Sequence, residues 1–400
     1  MPDTEIPARP LRITLVNQYF PPDTSATAAI FADLVNAIDG AGHRTNVICG
    51  RPSYRPSSSP SAAWRPFRRA SHPGAEVHRV GSTALTRDRG AGRAANYGSF
   101  LALATLRAAT MPRPDVVIAG TDPPLAILPG LVAARGRPLV YHLQDLHPEA
   151  ALAAGWIRPG RAARAWERLH RTALRRAALV VVLGERMADT LVAKGIARER
   201  IVVVPNGAPR NAGEPERELV GRIRGNAPFV AVHAGNIGVA GDWDTVMRAH
   251  ESLGDGADFV FLGDGAEAQR VAAAGIRIES FNQDVASVMA AGDLQLVTLR
   301  EDMEGLLVPS KLYTALAHGR PVLALVPPSS EVAQTVLRWE CGLVVAPGDA
   351  EGLARAVHEL AGDGDRVAAM AAAARRAGEA LSRERLFAEL VRTIERLTPR

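Results

Sequence analysis

Over the first two hundred positions the hydrophobic residues fall into short runs separated by amphipathic or polar stretches. LRITLVNQYF, residues 11–20, is nearly all apolar at its start, the pattern of a parallel strand buried on both faces. PPDTSATAAIFADLVNAIDGAGH follows as a turn and then a helix, with Ile30, Leu34, Ala37 and Ile38 on one face and Gly40 and Gly42 closing it. TNVICG, DVVIAG, PLVYHL and LVVVLG read as further strands. Strands alternating with helices predict a doubly wound parallel sheet. One segment breaks the alternation. Residues 51–74, RPSYRPSSSPSAAWRPFRRASHPG, mix Pro, Ser and Arg without a period and read as a long mobile loop.

The same pattern then restarts. IVVVPNGAPRNAGEPERE reads as a strand, a turn and a polar linker, which ends a first domain at 1–207 and leaves 208–226 as the connection. FVAVHAGNIG is a strand running into a glycine turn, DWDTVMRAHESL a helix and ADFVFLGDG the next strand. Weaker strands follow at IRIESF, LQLVTL, RPVLALV and GLVVA, which gives a second domain over 227–376. The chain is helical from about Asp349, and residues 377–400 are expected as a final helix packing back on the first domain. The predicted class is α/β: two Rossmann-like, doubly wound domains facing across a cleft.

Composition narrows the function classes. With 400 residues and 47% hydrophobic content the chain has enough apolar mass for real cores. No wholly apolar run, AALVVVL at 177–183 among them, approaches the ~20 residues of a membrane span. The N-terminus is polar and does not read as a signal peptide, and Cys49 and Cys341 are the only cysteines. A cytoplasmic setting is expected.

The net charge is +5 and unevenly spread: Arg51 to Arg93 holds nine arginines against Glu76 and Asp88. In WIRPGRAARAWERLHRTALRRA, Arg161, Arg164, Arg168, Arg171 and Arg175 recur at three- and four-residue steps and share a helix face. Such a stripe is either a solvated face or a surface for an anionic membrane or acceptor. No zinc-finger spacing or RNA-reading aromatic motif supports nucleic acid as a partner.

Ligands of open parallel sheets bind outside the carboxyl ends of the strands, so the loops after strands carry the candidate chemistry. The opening unit lacks G-x-G-x-x-G, and the chain lacks a Walker GxxxxGK[ST] and a GxSxG elbow. HAGNIGVAGDWDT places Gly235, Gly238 and Gly241 at a strand end, where the backbone can approach a ligand closely, with Asp242 and Asp244 as helix caps. LGDG at 262–265 is a second turn of this kind.

EGLLVPSKLYTALAHGRP is more specific. Of 47 basic residues only Lys194 and Lys311 are lysines, and Lys311 falls at a predicted helix start where a cation is unfavourable unless an anion joins it. Ser310 is expected to cap that helix, and Glu304 stands close enough to accept hydrogen bonds from hydroxyls. In YHLQDLHPEAALAAGW, His142, Asp145, His147 and Glu149 occur within eight residues. A metal cluster, a catalytic or acceptor-orienting carboxylate and plain loop polarity all remain open there.

Together, NQYFPPD, QDLHPEAALAAGW, VPNGA, AGNIG and EGLLVPSKLYTALAHGRPVLA resemble glycosyltransferase family 4 of the GT-B fold, in the branch of bacterial surface-polysaccharide and amino-sugar transfer. The resemblance implies a retaining transfer from a nucleotide-diphospho-sugar, UDP-linked, to a hydroxyl acceptor, with no cofactor and no metal. The acceptor would be a glycan, a lipid-linked sugar or a small molecule.

It further implies that Lys311 binds phosphate, that Glu304 contacts the donor sugar, and that Gly235, Asn236 and Gly238 lie against the diphosphate. Ser310 and Thr314 fall on the donor side, and Asp145 orients the acceptor or supports oxocarbenium charge. His142, Glu149 and Tyr19 fall on the acceptor side. The chain departs from the family in two places. Thr314 stands where a second Glu is usual, and Val239 and Ala240 stand where many relatives carry a basic residue that Arg300 or Arg320 would have to replace. The same fold would also suit a catalytically silent nucleotide-sugar-binding protein or a sugar-nucleotide epimerase.

Overall fold

A computed structural model describes residues 9–52, 66–83, 90–210, 213–280, 282 and 284–398, with the backbone alone at 90, 91 and 93. The chain divides into two compact units: one runs to Pro205 and resumes at Glu384, and the other spans Asn206–Arg383.

The first unit is built on eight strands: β1 (Arg12–Val16), β2 (Arg44–Cys49), β3 (Phe67–His72), β4 (Ala75–Val80), β5 (Val116–Ala119), β6 (Leu139–His142), β7 (Leu179–Val182) and β8 (Ile201–Val203). Their order is β3-β4-β2-β1-β5-β6-β7-β8, parallel throughout except where β3 meets β4. Helix Ala26–Gly40, capped by the Ser25 hydroxyl, buries Ile30, Leu34 and Ile38 on this sheet. Its β1 partner is buried on both faces from Ile13 to Val16, as the opening run requires.

Two segments differ from the sequence reading. Residues 67–72, expected within a mobile loop over 51–74, are strand β3, antiparallel to β4 with Phe67 opposite Val80. This is an edge strand, and its mostly exposed FRRASH side chains leave no apolar alternation to read. Residues 53–65 of that expected loop lie outside the described residues. At the other end, Phe387, Leu390, Val391 and Ile394 of helix Arg383–Glu395 join the first unit's core beside Leu34 and Ile38. The return therefore falls at Glu384 and not at 377.

The second unit carries β9 (Phe229–Ala234), β10 (Ala257–Leu262), β11 (Arg277–Glu279), β12 (Leu294–Thr298), β13 (Val322–Leu325) and β14 (Gly342–Val345), all parallel in the order β11-β10-β9-β12-β13-β14. Within the expected polar linker 208–226 lies the helix Arg217–Arg224. Leu219 and Ile223, four residues apart in a charged stretch, bury one side of that helix against Val230, Val232 and Met289.

The VPNGA turn opens this unit beside its last residues. The Ala208 N–H donates to Leu381 O at 2.8 Å, and the Arg383 N–H to Ala208 O at 2.9 Å. Gly207 sits at φ +67° with room for no Cβ, which would lie 2.8 Å from Arg383 Cα. That contact is why the motif needs glycine there.

Candidate functional sites

In the second unit the candidate residues gather at the carboxyl ends of β9, β10 and β12. Gly235, the first residue after β9, has φ +127°, and a Cβ there would lie 2.8 Å from Lys311 Cε. The missing side chain is what lets Lys311 lie across the turn. Lys311 is half-buried and makes no ion pair among the described residues, and desolvation lowers its pKa to about 8. Beside it, His233 is buried, with its ring nitrogens 3.1 Å from Leu296 O and 3.5 Å from Asn236 O. Burial first, then the Lys311 charge, pushes His233 down to about 3, so this histidine is neutral at pH 7. The contrast with the other lysine is informative: Lys194 bridges Glu149 and Glu167 and is electrically spent.

Backbone bonds hold the turn. The Gly235 N–H donates to Leu262 O and the Ile237 N–H to Asp264 O, at 2.8 and 2.9 Å, which locks AGNIG onto LGDG. The Trp243 indole donates to Gly238 O at 2.7 Å, and the Asp242 N–H to Thr298 Oγ1 at 2.9 Å. Asp242 caps the next helix through Thr245 N, whereas Asp244 pairs with Arg270. Asn236 is left exposed.

Ser310 differs from its expected role. It adopts φ −68° and ψ −15°, already helical, and its hydroxyl makes no capping bond. Glu304 follows the short turn Glu301–Met303 and precedes Gly305 at φ +71°. Thr314 lies one turn beyond Lys311 on the same face and is half-buried.

In the first unit the chain winds outward in opposite directions from β1 and β5, and the loops after β1, β5 and β6 meet at that switch point. The Gln18 N–H donates to Asp122 O at 2.6 Å, and the Asp122 N–H to Asn17 Oδ1 at 3.3 Å. The Gln144 N–H donates to Thr121 Oγ1 at 3.2 Å, which sets Asp145 beside Asp122. Burial, reinforced by the Asp122 charge, pushes Asp145 up to about 7. Burial pushes Asp122 up to about 6, partly offset by a hydrogen bond from Thr27. Neither acid has an ion pair among the described residues. Asp122 is absent from the candidates read along the chain, although GTDPP after an apolar strand repeats the strand-end acid and proline pair of NQYFPPD.

The other candidates of this unit go elsewhere. His142 has no exposed surface: it stands edge-on to Phe31 and Phe387, takes Nδ1 to the Gln144 amide at 3.2 Å, and is a core histidine held neutral by burial. Glu149 is tied to Lys194, which joins the start of helix Glu149–Ala153 to Glu167 of helix Arg161–Leu174. His147 stacks on Trp166 at 5.8 Å. Tyr19 is buried, and its carbonyl accepts from Asn17 Nδ2 at 2.9 Å. The four titratable residues of the HLQDLHPE run thus face different neighbours, and no group of three or more His, Cys, Asp or Glu converges among the described residues.

Helix Arg161–Leu174 turns Ala163, His170, Ala173 and Leu174 inward and leaves Arg161, Arg164, Arg168 and Leu169 exposed. Arg175 and Trp156 beside it are exposed too. Among the described residues no helix is long and apolar enough to cross a membrane.

These features can be set against known proteins. Residues 25–207 match the family profile described as "Glycosyl transferase 4-like domain", and residues 229–363 the one described as "Glycosyl transferases group 1". The chain is 30% identical to the probable glycosyltransferase WbjE of Pseudomonas aeruginosa over 62% of its own length and 66% of that protein, just under two thirds. It is 24% identical to the putative colanic acid biosynthesis glycosyl transferase WcaI of Escherichia coli K12, over 77% of this chain and 82% of that one. Among solved structures it is similar to Anabaena HepE in complex with UDP and glucose, with TM-score 0.70 and 17% identity, over 96% of this chain and all of that one.

Proposed function

The chain belongs to glycosyltransferase family 4 of the GT-B fold, and we propose that it moves a sugar from a UDP-linked donor to a hydroxyl of a cell-surface glycan, with retention and without a metal. Lys311 carries this reading: a half-buried cation, unpaired among the described residues, lies against a glycine turn at the carboxyl end of β9. Breaking the bond between the anomeric carbon and the diphosphate leaves negative charge on the leaving oxygen. A preorganised cation stabilises that charge where a metal ion otherwise would.

The acceptor oxygen then forms the new bond on the same face, and the acceptor proton passes to the leaving phosphate. Atoms and charge balance without a dedicated base. Gly235, Asn236 and Gly238 lie along the diphosphate, and Glu304, Thr314 and Ser310 serve the rest of the donor. Asp145 faces the acceptor or the oxocarbenium charge. The name of WcaI, a putative colanic acid biosynthesis glycosyl transferase, supports a glycan product, and the HepE complex supports UDP as the nucleotide.

A thermal-shift series with UDP-, GDP- and dTDP-glucose tests the donor. The UDP-sugar should raise the melting temperature most, by the equivalent of about 2.7 kcal/mol at one hundred times Kd, with or without EDTA. Stabilisation by another nucleotide alone, or its loss on chelation, contradicts the reading.

Helix Arg161–Leu174 adds the setting. Its exposed arginines beside Trp156 and Leu169 suit a peripheral site on an anionic bilayer. Binding to vesicles with 30% anionic lipid should weaken steeply from about 50 to 500 mM salt as the charges are screened, and vanish with neutral lipid. Binding indifferent to both lipid charge and salt argues against the assignment.

A further inference from the structure

We propose that Arg300 is the second cation of the diphosphate subsite, acting from the end of β12 in place of a basic side chain that the 236–241 turn lacks. The inference rests on the donor reading above. Two uncharged residues, Val239 and Ala240, form the middle of that turn, and Lys311 lies against Gly235, the residue just before it. A nucleoside diphosphate brings more negative charge than one lysine offsets.

Arg300 lies two residues beyond the end of β12 and clasps the same turn. Its backbone N–H donates to Ala240 O at 2.8 Å, and its Nη1 donates to Val239 O at 2.9 Å. The turn is braced at both ends, by Trp243 on Gly238 O and by Thr298 on the Asp242 N–H, so the guanidinium has a fixed place beside it. Nε and Nη2 reach Asp302 in an ion pair whose side chains are 37% and 53% exposed. A pair that open to water contributes only about 0–1 kcal/mol, so phosphate oxygens can displace the carboxylate at little cost. The flat fork of a guanidinium matches two phosphate oxygens at once, which a second lysine would not.

The alternative, Arg320, is at the wrong edge. It precedes β13, and the charges that shift it are Asp293, Arg375 and Arg224, with Arg224 itself 2.7 Å from Asp293. Asp293 precedes β12, so this cluster marks the amino ends of the strands, whereas ligands of such sheets bind at the carboxyl ends.

Calorimetry of UDP and UMP binding to the full chain tests the assignment. Arg300→Ala should weaken UDP by about 10–100-fold, the worth of a charge-assisted contact, and UMP by less than about twofold, because UMP lacks the outer phosphate. Arg300→Lys should recover part of the loss, Asp302→Asn should bind UDP as well as or better than the parent, and Arg320→Ala should match the parent. Arg300→Gln, which keeps a donor for Val239, carries the test if the alanine variant fails to fold.

UDP affinity unchanged in Arg300→Ala overturns the inference. So does an equal loss of UMP, or a loss in Asp302→Asn as large as in Arg300→Ala, since either marks a structural role. If Lys311→Ala weakens UDP and Arg300→Ala does not, the inference alone fails. If the parent binds none of UDP, GDP and dTDP, the donor reading fails with it.

Discussion

Lys311→Ala should lower kcat/KM for the nucleotide-sugar by about 10²–10³-fold, the usual effect of deleting one group that stabilises leaving charge. The fold should survive, because Lys311 makes no ion pair among the described residues and its loss relieves a desolvated charge. Lys311→Arg is the sharper variant. It keeps the charge but must fit a bulkier fork beside Gly235, where the lysine stem already lies within contact distance of the backbone. Steady-state kinetics with intact melting curves would separate the two effects. Parental turnover in Lys311→Ala would remove this residue from the site.

The second large effect belongs to the acid pair at the switch point of the first unit. Burial and Asp122 push Asp145 up to about 7, so it is ionised only above that pH, and desolvation lowers Lys311 to about 8, so it is charged only below that. The profile of kcat/KM should therefore be a narrow bell, rising through about 7 and falling beyond about 8. The acid limb belongs to the Asp122–Asp145 pair and not to one residue. Asp122→Asn removes a like charge and should shift that limb to lower pH, while Asp145→Asn should cost about 10²-fold or more in turnover.

Stability should move the other way. A carboxyl raised from 3.8 to about 7 favours the folded state at low pH, and that contribution is lost as pH rises through about 7. At pH 8 Asp145→Asn should therefore melt higher than the parent, by up to about 4 kcal/mol, since each tenfold change in proton affinity is worth about 1.4 kcal/mol. Lower stability at pH 8, or a flat profile between 6 and 8, would show that Asp145 is neither strained nor needed ionised.

Much of this was legible along the chain because it is local. The mostly apolar runs at 11–16 and 179–182 have the length and β-branched content of buried strands, and the glycines after β9 announce a turn that meets something close. A single lysine kept within PSKLY in an arginine-rich chain pointed to Lys311 for the same reason: one residue's chemistry was out of place in its surroundings. Strand β3 escaped notice because an edge strand needs no apolar alternation, and helix Arg217–Arg224 because two buried residues make a faint stripe.

Side-chain roles in the HLQDLHPE run depended on distant partners. His142 and Glu149 have the composition of a site, yet one is held between Phe31 and Phe387, and the other is neutralised by Lys194 from 45 residues further along. Asp122 became a candidate only when β5 and β6 were laid side by side. Arg300 was separated from Arg320 by which end of the sheet each occupies.

The sequence by itself determined the two α/β units, the glycine turns and the lysine, because periodicity, turn chemistry and charge placement act over a few residues. Tertiary structure alone decided which acids are shifted and which cations are already paired. Desolvation and ion pairing depend on neighbours that the chain brings together only when it folds.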